Sequence, residues 1–173
     1  MTDENALETP TDTVREDLDQ YLTFTLAGEE YGVDILRVQE IRGWESVTRI
    51  PNAPDYVKGV LNLRGAIVPV FDLRQKFGMS LQTYHKDTVV IVLRVKGGPG
   101  LRNMGVVVDA VSDVLDTPAS EIRSAPEFGT GVATEYISGL VTAGSKMVML
   151  LDVDRMLDES EESPEASEAA LSA

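Results

Sequence analysis

The sequence predicts an all-β protein built from two copies of one small barrel-forming unit, each copy closed by a short helix. Three observations predict it: apolar runs of strand length, a series of residues that recurs in the same order, and an Asp at the end of each copy placed to cap a helix. The runs are too short and too closely spaced for the strand and helix alternation of a parallel α/β sheet.

From the N-terminal side, Leu22, Phe24 and Leu26 alternate with Tyr21, Thr23 and Thr25, the period of a strand with one buried face. Gly28 marks a turn into Tyr31–Ile35, which completes a first hairpin. Further β-rich runs cover residues 60–63, 66–71, 88–95, 104–111, 137–142 and 146–151. Lys96-Gly97-Gly98-Pro99-Gly100 lacks the spacing of a phosphate loop and reads as a hairpin connection; Gly129-Thr130-Gly131 reads as a flexible loop. The polar stretch 75–88, with the single His85 exposed in it, reads as the connection between two lobes.

The chain resembles itself. Tyr31-Gly32-Val33, Ile35, Val38, Glu40 and Ile41 line up with Met104-Gly105-Val106, Val108, Val111, Asp113 and Val114. Tyr56, Gly59, Val68, Val70, Asp72, Leu73 and Phe77 then fall on Tyr136, Gly139, Val148, Leu150, Asp152, Val153 and Leu157 without a gap. In both copies a strand runs into an Asp, and apolar residues four apart follow. A carboxylate there accepts from the unpaired N–H groups of a first helical turn and favours the positive end of the helix dipole. Such a helix covers apolar strands that about five strands cannot fully enclose.

Composition narrows the chemistry. Among 173 residues there are 15 basic and 29 acidic side chains, one histidine and no cysteine. Thiol catalysis, Cys-ligated zinc and redox switching are thereby excluded, and His-based metal sites and triads are disfavoured. Residues 1–19 hold seven acids and one base, and residues 158–173 hold six acids and no base. The two ends therefore carry nearly all of the net charge of −14, and both read as disordered acidic tails unable to repay the entropy of ordering. The nearly neutral middle offers no basic footprint for nucleic acid, and no apolar run is long enough to cross a bilayer. With no signal peptide at the start, the expectation is a cytoplasmic protein.

Candidate sites are few. Asp152-Val153-Asp154 lacks the Gly and the closing Glu of a calcium loop and reads as a helix cap. Asp109, Asp113 and Asp116 form the best carboxylate cluster but have no partner base and read as a hydrated strand edge. The unusual stretch is Gly59-Val60-Leu61-Asn62-Leu63-Arg64-Gly65, where Asn and Arg interrupt an apolar strand before a turn. The other copy has Gly144 where this one has Arg64, so the fold does not demand the Arg. It reads either as a solvated turn residue or as a docking contact, as does Glu40.

These residues carry a resemblance. Phe24-Thr25-Leu26, Glu30-Tyr31-Gly32-Val33, Val38-Gln39-Glu40-Ile41-Arg42-Gly43, the stretch 59–65, Val68-Pro69-Val70-Phe71-Asp72-Leu73-Arg74 and Val107-Val108-Asp109-Ala110-Val111-Ser112-Asp113-Val114 stand in the order and spacing of the CheW family of chemotaxis coupling proteins. Ile122-Arg123-Ser124-Ala125-Pro126-Glu127-Phe128 and Tyr136-Ile137-Ser138-Gly139-Leu140 extend it, so that residues 20–157 resemble the family.

The resemblance implies two SH3-like five-stranded β-barrel subdomains side by side with short capping helices. The first lobe is expected at about 20–80 and the second at about 86–157, with strand exchange between them left open, and with an apolar groove between them as the seat of a receptor helix. It implies a non-enzymatic adaptor with no cofactor and no metal, located at membrane-associated chemoreceptor arrays without inserting into the membrane. Its partners would be the cytoplasmic tip of methyl-accepting chemoreceptors, the regulatory domain of the histidine kinase CheA and other CheW-like domains. Val38, Glu40, Gly59 and Arg64 match receptor- and kinase-coupling positions, and Arg123, Glu127 and Phe128 match a ring interface with the kinase regulatory domain. A non-flagellar output, such as twitching motility or a second messenger, is the alternative the residues leave open. A fusion as in CheV or in the kinase itself is not expected, since 16 residues follow Leu157.

Overall fold

The computed structural model describes residues 18–80, 83–97, 100–124 and 135–158. The acidic stretches 1–17 and 159–173 and the Gly129-Thr130-Gly131 loop lie outside the described residues. Ten strands form two five-stranded sheets: β1 (Leu18–Leu26), β2 (Glu29–Asp34), β3 (Val38–Gly43), β4 (Val57–Leu63), β5 (Ala66–Asp72), β6 (Val89–Gly97), β7 (Gly100–Val108), β8 (Ala110–Pro118), β9 (Ile137–Ala143) and β10 (Lys146–Leu151). Helices α1 (Leu73–Lys76) and α2 (Val153–Met156) follow β5 and β10.

Both helices are capped as expected, Asp72 accepting from the Gln75 N–H and Asp152 from the Arg155 N–H, each at 3.1 Å. The hairpins also fall where glycine placed them, with Leu26 opposite Glu29 and Gly97 opposite Gly100. β1 starts earlier than expected: Leu18 and Asp19, assigned above to the tail, pair with Pro118 and Thr117. β3 is the strand the periodicity missed, because Glu40 and Arg42 lie half-buried where an amphipathic strand would put apolar residues.

The sheet orders are β8-β1-β2-β10-β9 and β3-β6-β7-β5-β4. The sheets therefore do not divide the chain into consecutive lobes at 20–80 and 86–157. The β1–β2 hairpin of the first copy lies in the sheet of β8–β10, and the β6–β7 hairpin of the second copy lies in the sheet of β3–β5, a reciprocal exchange. The chain crosses between lobes twice, through the 3-10 turn Ile35–Arg37 and at Asp109. The stretch 75–88, expected to connect the lobes, instead runs from the end of α1 to β6 within one lobe.

Equivalent residues keep equivalent partners despite the exchange. β10 runs parallel to β2 with Leu150 opposite Gly32, and β5 runs parallel to β7 with Val70 opposite Gly105. Each lobe is closed by the chain that follows its outer strand: Thr48 after β3 bridges Val60 on β4, and Arg123 after β8 bridges Leu140 on β9. The outer edges of β4 and β9 thereby find partners.

The largest apolar cluster lies between the lobes and joins Leu22, Phe24 and Leu26 of β1 to Ile91, Leu93 and Val95 of β6. Phe24, Tyr31, Phe77 and Tyr136 form a row of rings with centroids 5.9 to 6.0 Å apart. Each such fully buried side chain contributes roughly 1.5–3 kcal/mol. These strand residues, which face the other lobe, are thus packed into a shared core. Smaller clusters around Val68, Val70, Val90 and Val92 and around Val141, Val148 and Leu150 fill the individual lobes.

Candidate functional site

β3 and the β4–β5 turn bring two of the expected site residues into contact. Arg64 and Gly65 form the two-residue turn between Leu63 and Ala66, both with positive φ, +51° and +90°. That is the pattern of a hairpin turn whose twist matches its strands. The Asn62 side chain steadies it by accepting from the Gly65 N–H at 2.9 Å. From this turn Arg64 Nη2 reaches Glu40 Oε1 at 2.6 Å. Glu40 Oε2 also accepts from Arg42 at 3.1 Å, and Arg42 donates to Glu45 at 3.3 Å, so four charges alternate in sign along the surface.

Stability does not account for Arg64. Its side chain is 77% exposed, and an ion pair so open to water contributes at most about 1 kcal/mol. A left-handed conformation costs a residue with a Cβ about as much. The equivalent turn in the other copy has Gly144 at φ +64°, which avoids that cost. What Arg64 adds is a fixed, outward guanidinium held by Glu40, a donor suited to a partner carboxylate.

Val38 opens β3 opposite Leu93 and packs half-buried against the main core. Gly59 touches neither Glu40 nor Arg64. It is buried with φ +147°, and a Cβ there would lie 2.1 Å from the Thr48 carbonyl oxygen. The close approach lets Thr48 exchange backbone hydrogen bonds with Val60 at 2.8 and 3.0 Å. Gly59 therefore acts on the surface through the strap 44–50. Beside this strap opens a cleft of about 500 Å³ whose lining includes Trp44, Val47, Arg49, Ile50 and Lys58. Sequence reasoning missed it, since its residues come from a stretch without periodicity; the lone Trp44 was the available signal.

Arg123 lies in the other lobe. Its backbone exchanges hydrogen bonds with Leu140 at 2.7 and 2.8 Å, the counterpart of the Thr48 bridge, and its side chain is exposed. Glu127 and Phe128 lie outside the described residues.

The carboxylates weighed for chemistry do not converge. Asp109 is not a hydrated edge residue: Arg74 donates to both its oxygens at 2.9 and 2.7 Å, and the Ala27 N–H donates at 2.9 Å. Burial opposes its ionisation, yet these donors together hold its pKa below the usual carboxylate value. Asp113 accepts from the Val114 N–H and Asp116 from Gln20. Among the described residues no group of three or more potential metal ligands converges, and no helix is long and apolar enough to cross a membrane. Buried Asp72 caps α1 and accepts from the Tyr84 hydroxyl, whose pKa is raised by burial and by that carboxylate. Tyr84 in turn packs edge-on against Trp44 at 4.5 Å, tying the strap to the helix cap. His85 is exposed, as expected.

Comparison with known proteins places this architecture. Residues 20–161 match the model of the CheW-like domain. The chain is 54% identical over 142 residues to the chemotaxis protein CheW of Klebsiella aerogenes, covering 82% of this chain and 83% of that one. It is 34% identical to CheW of Rhizobium meliloti, over 82% of this chain and 89% of the relative. Among solved structures, the scaffolding protein TtCheW of Thermoanaerobacter tengcongensis matches with a TM-score of 0.72 at 32% identity, over 80% of this chain and 91% of that one.

Proposed function

The chain belongs to the CheW-like family of chemotaxis scaffold proteins, and from that premise we propose that it couples the cytoplasmic tip of methyl-accepting chemoreceptors to the regulatory domain of the histidine kinase CheA. It makes and breaks no bond itself, and it works in the cytoplasm at membrane-associated receptor arrays. The observation that carries this reading is Arg64, an outward guanidinium held by Glu40 in a conformation that stability does not reward. Val38, Glu40 and Arg64 form the receptor- and kinase-coupling face, with Gly59 setting the strap beside it. Arg123, exposed in the other lobe, marks a second contact, and Glu127 and Phe128 are assigned with it to the meeting of the kinase regulatory domain in rings with other CheW-like domains.

The mechanism is geometric. Two lobes that share one close-packed core offer two faces at a fixed angle, so a displacement at one face reaches the other without being absorbed. Receptor and kinase held on one body influence each other through simultaneous engagement, and repetition in an array compensates for modest individual contacts. The test is a titration of fluorescently labelled protein with a receptor signalling tip, with and without the kinase regulatory domain, alongside kinase autophosphorylation. A ternary assembly and receptor-dependent kinase activity are expected; binding of neither partner would overturn the proposal.

A further inference from the structure

The exchanged hairpins pose a problem of specificity. The two copies share one pattern of apolar and turn residues, so β1–β2 laid on the strands of its own copy would meet the same ladders it meets in the other copy. The shared pattern alone does not choose between these arrangements.

Two ion pairs stand at the corresponding points where the lobes meet. In the first, Arg37 at the β2-to-β3 crossing donates to both oxygens of Asp154 on α2 at 2.7 and 2.8 Å, and Asp154 also accepts from the Lys96 N–H at 2.8 Å. In the second, Arg74 on α1 holds Asp109 at the β7-to-β8 crossing, and Asp109 also accepts from the Ala27 N–H. The geometry is the same twice: the helix of a lobe meets the crossing by which that lobe's hairpin departs, and the carboxylate ties in the backbone at the tip of the other hairpin. Lys96 and Ala27 each follow the last buried residue of a leading strand, Val95 or Leu26.

The charges are reversed between the two points, and that reversal has a direction. Both arginines belong to the first copy and both aspartates to the second. In lobes built from consecutive halves, Arg74 would face Arg37 and Asp154 would face Asp109, two partly desolvated like-charge pairs in place of two bidentate ion pairs. We infer that Arg37, Arg74, Asp109 and Asp154 specify the exchange of hairpins between the two copies, by matching charge across copies and opposing it within each. The inference stands independently of receptor and kinase binding, and it makes these four side chains determinants of which halves pair.

The chain has no cysteine, so nitroxide pairs can be placed at will. Glu29→Cys with Met147→Cys reads the exchanged form, since Glu30 stands opposite Val148 on neighbouring parallel strands. Glu29→Cys with Ile67→Cys reads the unexchanged form, Ile67 being the counterpart of Met147. Both label sets go into three backgrounds: the parent, Arg74→Asp with Asp154→Arg, and the fourfold reversal Arg37→Asp, Arg74→Asp, Asp109→Arg and Asp154→Arg. The net charge is the same in all three. The double variant is complementary only in the unexchanged form, the fourfold variant only in the exchanged one. Expected is dipolar broadening of the 29/147 pair in the parent and the fourfold variant. The double variant should lose that broadening and melt on the order of 5–10 °C lower, whether it unfolds or gains the 29/67 signal. The inference is overturned if the double variant keeps the 29/147 broadening and the parent melting temperature, or if the fourfold variant is impaired as much as the double one.

Discussion

Replacing Gly59 with alanine tests the most exacting contact in the coupling lobe. A Cβ built there lies 2.1 Å from the Thr48 oxygen and 2.7 Å from its carbonyl carbon, so the strap must retreat by about 1 Å to restore an ordinary contact. That movement breaks or stretches the two Thr48–Val60 hydrogen bonds, which contribute about 0.5–1.5 kcal/mol each. Holding alanine at φ +147° adds about 1–3 kcal/mol of strain. The sum is about 2–6 kcal/mol, or a fall in melting temperature on the order of 10 °C for a chain of this size. Gly139→Ala is the internal control. Its Cβ would meet the Cγ2 methyl of Ile122 at 2.6 Å and the Arg123 oxygen at 3.2 Å, and its φ is not positive. The nearest obstacle is a side-chain methyl and not a backbone carbonyl, and no left-handed φ is imposed, so the loss should be only about 1–2 kcal/mol. Urea titration of both variants measures the difference. Equal losses, or a Gly59→Ala variant within about 2 °C of the parent, would refute the reasoning from the Thr48 contact.

Arg64→Glu should leave the melting curve within about 1 kcal/mol of the parent, as an exposed change, while receptor-dependent kinase control is lost; a large loss of folding would make Arg64 a structural residue. Asp72→Ala removes the α1 cap and leaves the Tyr84 hydroxyl without its acceptor, so about 2–3 kcal/mol should be lost in a urea titration, more than the cap alone is worth. Asp154 is held below the usual carboxylate pKa first by Arg37, with the Lys96 N–H adding to it against burial, and Asp109 is held low in the same direction. Because their folded-state pKa values are depressed, the stability these groups supply is complete above the ordinary carboxylate pKa and disappears as pH falls through the folded-state values. Melting temperature should therefore drop between about pH 5 and pH 2, and Asp154→Asn should flatten that drop; an unchanged slope would show the pair to be idle. Phe128→Ser should leave the pairwise complex with the kinase regulatory domain intact and impair the order of arrays imaged in cells, and normal arrays would refute its assignment to the ring face.

Local chemistry made much of the protein legible in its residues. Alternation marked β1, Gly28 and Gly97 marked hairpins, and Asp72 and Asp152 marked helix starts, because each of these signals depends on neighbours a few positions away. The duplication was legible too, since it compares the chain only with itself. β3 was not, because two of its three half-buried side chains are Glu40 and Arg42, which lie beside Arg64 and Glu45. Asp109 gave no local sign of its pairing, as its guanidinium lies 35 residues earlier in the chain. The family resemblance located Glu40 and Arg64 separately; their contact came from the turn and strand geometry.

Residue pattern by itself thus determined that the protein is strand-built, duplicated, helix-capped and related to chemotaxis scaffolds. Tertiary structure alone decided which hairpin belongs to which lobe. Two copies with the same pattern offer the same strand ladders, so periodicity is blind to the choice. The placement of Arg37 against Asp154 and Arg74 against Asp109 across the lobe boundary does what periodicity does not, because it matches opposite charges between the copies.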